Sequence, residues 1–376
     1  MTLSSGSHDG RFDAVRAAFE NNLATGEELG ASLVVDVDGE SVVDIWGGYR
    51  DTARTAGWER DTIVNVWSTT KTVTSLATLL LIDRGLLDAH APVARYWPEF
   101  ADRGKDVIEV RHLLSHTSGL SGLEQPVKLA DLHDPMDTTA LFASQEPWWE
   151  PGTASGYHAA TYGHLLGELV RRVTGSTLRE FVANELSGPL AADFHLGAAE
   201  EDWPRIAEIV PPPPPTRLPE PGSVAARTFA GPAVDAGAAN TADWRGAEIG
   251  ALNGHGNARS VARLLSVISR GGSVDGTRFL SDATLDLIFE VQADGVDLVL
   301  GIPIRWGTGF ALPRKETLPW IPAGKICFWG GWGGSMIIMD LERRLTISYA
   351  MNRMAPGIIG SNRSEAYVSA VYEAIA

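Results

Sequence analysis

The chain contains little cysteine, little lysine and no long apolar segment. Among its 376 residues there is one cysteine, Cys327, so an intramolecular disulfide is excluded. No apolar run approaches the ~18 residues that a membrane-spanning helix needs, and the first residues lack the basic start and apolar middle of a signal peptide. We therefore expect a cytoplasmic protein with no membrane partner.

Residues that bind metals or nucleic acids are not clustered either. His112 and His116 lie four positions apart, as two zinc ligands on a helix would, but the glutamate of the H-E-x-x-H motif is missing and no third ligand is evident. The formal net charge is −16 and the basic residues are scattered, which disfavours binding to a phosphate backbone. We expect no metal, no cofactor and no nucleic-acid partner.

Patterns typical of strands occur near both ends of the chain, and helical patterns lie between them. Residues 11–24 predict a helix, and the β-rich runs on either side of Asp38-Gly39 predict a hairpin. Near the C-terminus two further strands flank a turn near Asp340, and a last helix begins at about Ser364. The helices predicted between these ends cover 68–84, 110–115, 137–143, 161–173 and 177–186, with a further helix inside 257–272.

This arrangement predicts two domains, as the chain length also suggests. We expect a sheet domain built from residues 1–65 and 245–376, and a mainly helical domain from 66–244. The helical part includes the proline-rich connection 211–221, in which five consecutive prolines favour extended polyproline II. This segment could be a ligand for an SH3-type domain, but its position in mid-chain favours a stiff surface connection.

A serine and a lysine stand three positions apart at the start of the helix predicted over 68–84. Ser68 is a good N-cap residue, and by composition alone a capping role stays open. Capping does not explain Lys71, whose cation opposes the helix dipole in the first turn. Because positions i and i+3 share a helix face, Lys71 can orient or deprotonate the Ser68 hydroxyl, so the pair predicts a nucleophile and its base.

Several further motifs give this S-x-x-K pair a family context. They are "DIWGGYRD" (44–51), "WSTTK" (67–71), "VRHLLSHTSGL" (110–120), "EPGTASGYHAATYGHLLGELVRRVTG" (150–175), "GHGNARSVARLLSVI" (254–268) and "FWGGWGGS" (328–335). With these motifs in this order, the chain resembles the superfamily of class C β-lactamases, DD-peptidases and family VIII carboxylesterases. The resemblance implies an α/β plus α fold of the β-lactamase/DD-peptidase type, in which helices flank an antiparallel sheet and a helical domain is inserted.

The resemblance also implies the roles of individual residues. The tyrosine of the family's second motif falls on Tyr157, while Tyr162 lies on the apolar face of the next helix and fits a core position better. Trp329, Gly330 and Gly331 stand where the β-lactamases have Lys-Thr-Gly, and they are expected to bind substrate. The backbone N–H of Trp332 would then form an oxyanion hole together with that of Ser68.

Two departures from the β-lactamase pattern favour an uncharged substrate. Ala159 replaces the usual asparagine two residues after the motif tyrosine, and Trp329 replaces the lysine of the third motif. Both changes remove groups that hold the amide and carboxylate of a β-lactam. Trp148 and Trp149, together with Trp329 and Trp332, are candidates for the lining of an apolar acyl pocket. The G-x-S-x-G signature of α/β-hydrolases is absent from the sequence.

The sequence therefore suggests a serine hydrolase that cleaves short to medium acyl esters through an acyl-Ser68 intermediate, with Lys71 and Tyr157 sharing the proton transfer. An amidase, D-aminopeptidase or weak β-lactamase would use the same residues, and a non-catalytic binding protein could keep the same fold. The expected partner is a small ester, and the oligomeric state stays open. Since amine and phenol have ordinary pKa values of about 10.4 and about 10, we expect the pair to titrate together at a lowered pKa.

Overall fold

The computed structural model describes residues 3–124, 127–215 and 218–376. Its strands are β1 Ser4–His8, β2 Gly30–Val37, β3 Glu40–Gly48, β4 Val64–Asn65, β5 His195–Leu196, β6 Gly254–Gly256, β7 Ser273–Val274, β8 Thr277–Arg278, β9 Ala293–Val296, β10 Pro303–Trp306, β11 Ala311–Leu312, β12 Ile326–Gly330, β13 Met336–Asp340 and β14 Leu345–Met351. Its α-helices are α1 Asp13–Thr25, α2 Thr70–Asp83, α3 Val110–Leu114, α4 Pro135–Ser144, α5 Thr161–Thr174, α6 Leu178–Val182, α7 Val224–Ala230, α8 Ala242–Gly246, α9 Ala258–Ser269, α10 Asp282–Phe289 and α11 Asn362–Ala374.

The main sheet combines strands from both ends of the chain. Its order is β1-β3-β2-β14-β13-β12-β11-β10-β9, and each neighbouring pair is antiparallel. The first hairpin turns at Asp38 and Gly39, which have φ angles of 53° and 87°. Positive φ at both central residues is typical of a two-residue turn that suits the twist of the flanking strands. The hairpin predicted at this dipeptide is therefore confirmed.

Helices cover the sheet on both faces. In β2, Leu33 and Val35 belong to the same buried cluster as residues of α1 and α11, whereas Val34 packs with Ala258 and Ala262 of α9. Successive side chains of a strand point to opposite faces, so this alternation assigns α1 and α11 to one face and α9 to the other. Leu33, Val34 and Val35 are each at most 3% exposed, which shows that the sheet is buried on both sides.

The helical part of the chain packs beside this layer. Helix α2 contacts α5, α6 and α9, and its apolar residues lie in one large buried cluster with those of α5 and α9. Short strands β4, β6 and β5 form a second, antiparallel sheet at the start of α2. Among the described helices, none has both the length and the apolar character that crossing a bilayer would require.

Most of the predicted elements are present, but the structure also contains elements that the sequence did not predict. These are strands β1 and β4–β11 and helices α7, α8 and α10, all of which are short, and α6 continues as a π-helical turn over Ala183–Ser187. Pro211–Pro215 belongs to no helix or strand, as expected. The proposed division of the chain at residues 65 and 244 remains a prediction.

Candidate active site

Ser68 lies on a strained turn between β4 and α2. The turn is a 3₁₀ helix over Trp67–Thr69, and Trp67 has a φ angle of 50°, an uncommon conformation for a large residue. The indole of Trp67 is fully buried and packs against two other indoles. Its ring centre lies 5.5 Å from that of Trp244 and 5.2 Å from that of Trp332. Packing of this ring against its neighbours holds the turn in a conformation that the backbone alone would not favour.

The hydroxyl of Ser68 does not cap the helix that follows. The N-cap of α2 is Thr69, which makes no side-chain capping bond, and helix α2 begins at Thr70. Instead, Ser68 Oγ lies 3.1 Å from Nζ of Lys71. The capping interpretation of Ser68 is therefore wrong, and the i to i+3 pairing predicted from the sequence is present.

Lys71 is buried against carbonyl groups rather than carboxylates. Its Nζ donates to the backbone oxygens of Ala159 at 2.7 Å and Ala251 at 3.0 Å, and the side chain is 2% exposed. No ion pair joins Lys71 to an acidic residue in the described part of the chain. Burial without a counter-charge lowers the pKa of the Lys71 amine well below its usual value, which favours the neutral base.

Tyr157 is the second buried group beside Lys71. The amine lies 4.8 Å from the centre of the Tyr157 ring, and the indole N–H of Trp329 donates to the phenol oxygen at 3.2 Å. Burial raises the pKa of Tyr157 far above its ordinary value, although hydrogen bonding by Ser68 and Trp329 opposes this change. The expectation that the pair titrates together at a lowered pKa stays a prediction: burial favours a lowered pKa for the amine and opposes it for the phenol, because desolvation penalises the phenolate.

The backbone around Tyr157 is fixed by two residues that the sequence did not single out for this role. The N–H of Gly156 donates to the His116 carbonyl, and the N–H of His158 donates to Nδ1 of His116 at 3.1 Å. Between them, the N–H of Tyr157 donates to Oδ1 of Asp297 at 2.9 Å. Three consecutive N–H groups are therefore tied down, and burial holds the pKa of His116 well below its usual value.

The glycines after β12 bring a second strand end close to the nucleophile. A Cβ on Gly331 would overlap the Ser335 hydroxyl and the Val66 carbonyl, so only glycine fits at this approach. Ser335 in turn donates to the Val66 carbonyl at 2.9 Å. The next N–H, that of Trp332, makes no hydrogen bond with another described backbone group. Its role as an oxyanion donor beside Ser68 remains a prediction.

The tryptophans considered for the acyl pocket have different surroundings. Trp329 is 2% exposed, and its indole N–H donates to the Tyr157 hydroxyl. It therefore helps to orient the Tyr157 side chain and offers little surface to a ligand. Trp149 donates to the Ala154 carbonyl at 2.9 Å, next to the Tyr157 segment. Trp148 stacks under Arg227, whose guanidinium carbon lies 4.1 Å from the ring centre. Contact of Trp148 and Trp149 with an acyl group remains a prediction.

Tyr162 belongs to the core rather than to this cluster. Its ring is 1% exposed among apolar residues of the helical part, and its hydroxyl lies 2.7 Å from Ser75 Oγ. Both features agree with the core position expected for it.

Comparison with known proteins agrees with this geometry. A family model described as Beta-lactamase matches residues 15–369. The chain belongs to the β-lactamase family. A family VIII carboxylesterase crystal structure superposes with a TM-score of 0.93 at 37% identity over 99% of both chains. A penicillin-binding protein homologue from Caulobacter crescentus gives a TM-score of 0.90 at 35% identity, again over 99% of both chains. The expected β-lactamase/DD-peptidase fold class is therefore confirmed.

Among curated relatives, the esterase/β-lactamase LipL of Mycobacterium tuberculosis is 34% identical, over 94% of this chain and 84% of LipL.

Two residues that fix the Tyr157 backbone were not predicted for this role from the sequence. His116 lies in one of the motifs that carry the family resemblance, so that motif could have indicated it. Asp297 lies outside all of those motifs, and no spacing pattern links it to Tyr157.

Proposed function

We propose that the protein is a serine carboxylesterase that cleaves short to medium acyl esters through an acyl-Ser68 intermediate. The observation that carries this proposal is the set of contacts around Lys71. A neutral lysine amine has two N–H groups and one lone pair. Burial favours that neutral form, in which the two N–H groups serve the carbonyls of Ala159 and Ala251 and the lone pair faces the Ser68 hydroxyl 3.1 Å away; a protonated amine would donate to that hydroxyl instead.

Acylation then combines nucleophilic attack by Ser68 with two proton transfers. Lys71 accepts the Ser68 proton while Oγ attacks the ester carbonyl, and the bond to the leaving alcohol breaks as that alcohol takes up a proton. Tyr157 delivers this proton, since its raised pKa keeps the phenol protonated. The backbone N–H groups of Ser68 and Trp332 donate to the carbonyl oxygen as it becomes negative.

Deacylation reverses the proton path with water in place of the alcohol. Water gives up a proton to the Lys71 and Tyr157 pair and attacks the acyl carbonyl, and the carboxylic acid leaves as Ser68 recovers its proton. Residues of the chain itself carry out every proton transfer and stabilise the negative oxygen, so the proposed mechanism needs no cofactor.

The surroundings of this cluster favour an ester over a β-lactam. The indole N–H of Trp329 is already used on Tyr157, and the side chain of Ala159 offers no hydrogen bond. A β-lactam carboxylate would lose its water without gaining a partner here, at roughly 1–3 kcal/mol for each unmet hydrogen bond. The names of relatives support the ester: LipL is called an esterase/β-lactamase, and the structure with a TM-score of 0.93 is a family VIII carboxylesterase.

A panel of substrates tests the proposal against its competitors. We expect hydrolysis of p-nitrophenyl acetate and butyrate with a kcat/KM about 10² to 10⁴ times that for a chromogenic cephalosporin, and no activity in Ser68→Ala. The second part of the LipL name favours slow cephalosporin turnover as a side activity. Amide cleavage faster than ester cleavage would instead indicate an amidase. The absence of any turnover would indicate a binding protein.

A further inference from the structure

Asp297 is a buried carboxylate that is bound only by N–H groups. It lies in the loop between β9 and β10 and is 0% exposed. Its Oδ1 accepts the backbone N–H groups of Tyr157 at 2.9 Å and of Val299 and Leu300 at 3.0 Å, and its Oδ2 accepts the indole N–H of Trp306 at 3.3 Å. No ion pair joins it to a cation in the described ranges.

Two of these four bonds reach beyond the loop itself. The bonds from Val299 and Leu300 close the turn that follows Asp297, as a short polar side chain commonly does in loops. The bond from Tyr157 crosses 140 residues of sequence, and a parallel backbone bond from Leu298 to the Ser155 carbonyl at 2.8 Å joins the same two segments. A loop that only needed to turn would not require either contact.

The bond to Trp306 supports the same segment from its side-chain face. The Trp306 and Tyr157 rings are parallel within 4°, with their centres 6.3 Å apart. Trp306 also contacts Trp329 and His116, with ring centres 4.6 and 4.4 Å away. Asp297 therefore fixes the Tyr157 backbone and one of the rings that surround its side chain.

We propose that Asp297 is a positioning residue for Tyr157: through the Tyr157 N–H and the Trp306 indole, it holds the phenol beside Ser68 and Lys71. This inference rests on the proposed function, in which Tyr157 moves the proton of the leaving alcohol. A phenol displaced by even 1 Å transfers that proton poorly, and such displacements can cost on the order of 10²-fold in rate. Substrate binding does not depend on the position of the phenol proton.

The test compares variants by the rate per active site. Active sites are counted by titration with a fluorophosphonate, so that unfolded protein does not contribute. We expect Asp297→Ala to lower kcat by about 10- to 100-fold with KM changed less than about threefold. Asp297→Asn should recover part of this loss, because an amide oxygen can accept the same three backbone N–H groups while its NH₂ cannot accept from Trp306.

Two controls separate positioning from general damage to the fold. Asp294→Asn removes another carboxylate of the same hairpin, one that pairs with Arg305 and has no contact with Tyr157, and it should keep the wild-type kcat. In a Tyr157→Phe background, Asp297→Ala should lower kcat little further, since the phenol hydroxyl is already absent. An equal further loss in that background would overturn the proposal, and so would a wild-type kcat in Asp297→Ala. If wild-type protein is not acylated at Ser68 at all, the proposed function fails rather than this inference.

Discussion

At the scale of single residues, the proposed chemistry depends on how burial changes the pKa values of Lys71 and Tyr157. The same low-polarity environment lowers the pKa of the amine and raises that of the phenol, because each group loses the water that stabilises its charged form. Burial thus favours the neutral form of both groups, as the proposed base and acid require. This pairing supports proton transfer in both directions without a buried net charge.

The buried neutral amine predicts an unusual dependence of stability on pH. Between the lowered pKa of native Lys71 and about 10.4, the unfolded chain binds one proton more than the native chain, so the free energy of unfolding rises with pH. Compared with Lys71→Met, the wild type should gain up to about 1.4 kcal/mol of stability per pH unit across this range. Urea unfolding of both proteins at several pH values measures this slope. A difference that does not change with pH would mean that Lys71 is charged in the native state.

Lys71 and Tyr157 should also behave as one catalytic unit. Lys71→Met and Tyr157→Phe should each lower kcat/KM by about 10² to 10⁴-fold, because both take part in the same proton transfers. The double variant should be little slower than the more impaired single one, as p-nitrophenyl butyrate kinetics will show. Losses that add in full on a logarithmic scale would assign the two residues to independent steps.

The residues of this cluster were predictable from the sequence to different degrees. Ser68 and Lys71 are linked by helical spacing, which is a local property that a sequence displays directly. Tyr157 needed the family resemblance, because nothing local connects it to Ser68. Asp297 could not be found in either way, since its contact with Tyr157 depends on how the β9–β10 loop meets a segment 140 residues earlier.

At the scale of elements, the site depends on close packing of the end of β12 against the turn before α2. Gly331 permits this approach, and the N–H of Trp332 follows directly after it. The sequence suggested that these glycines bind substrate, whereas a Cβ at Gly331 would meet atoms of the protein itself. Only the packing of Val66, Trp67 and Ser335 around Gly331 gives the physical reason.

A methyl group at this point should separate the two elements. Gly331→Ala places a Cβ against Ser335 Oγ and the Val66 carbonyl, so we expect the Trp332 N–H to move away from Ser68. Loss of one oxyanion donor costs about 10² to 10³-fold in kcat, which kinetics with p-nitrophenyl butyrate will measure. Gly295→Ala, on edge strand β9 where a Cβ meets nothing within 4 Å, is the matched control. Equal activity of the two variants would exclude the Trp332 N–H from the oxyanion hole.

At the scale of the whole molecule, the proposed catalytic cluster combines residues from distant parts of the chain. Ser68 and Lys71 come from the start of α2, Tyr157 from the segment before α5, and Trp332 from the loop between β12 and β13. The strand patterns at both ends and the helical patterns between them were enough to predict this general architecture. The register of β9–β11 and the contacts of their loops were not predictable, because short polar strands carry little periodic signal.

The central claim is that an ester substrate acylates Ser68, and a trapped intermediate tests it most directly. Wild-type protein mixed with p-nitrophenyl butyrate is quenched in acid within the first turnovers and digested with trypsin. The peptide 61–71 contains Ser68 as its one serine, and fragmentation distinguishes it from Thr69 and Thr70. We predict one butyryl group on Ser68, retained in Ser75→Ala, which removes another buried hydroxyl of α2, and lost in Ser68→Ala. A butyryl group on any other residue, or steady turnover without an adduct at Ser68 in Tyr157→Phe and wild type alike, would contradict the claim.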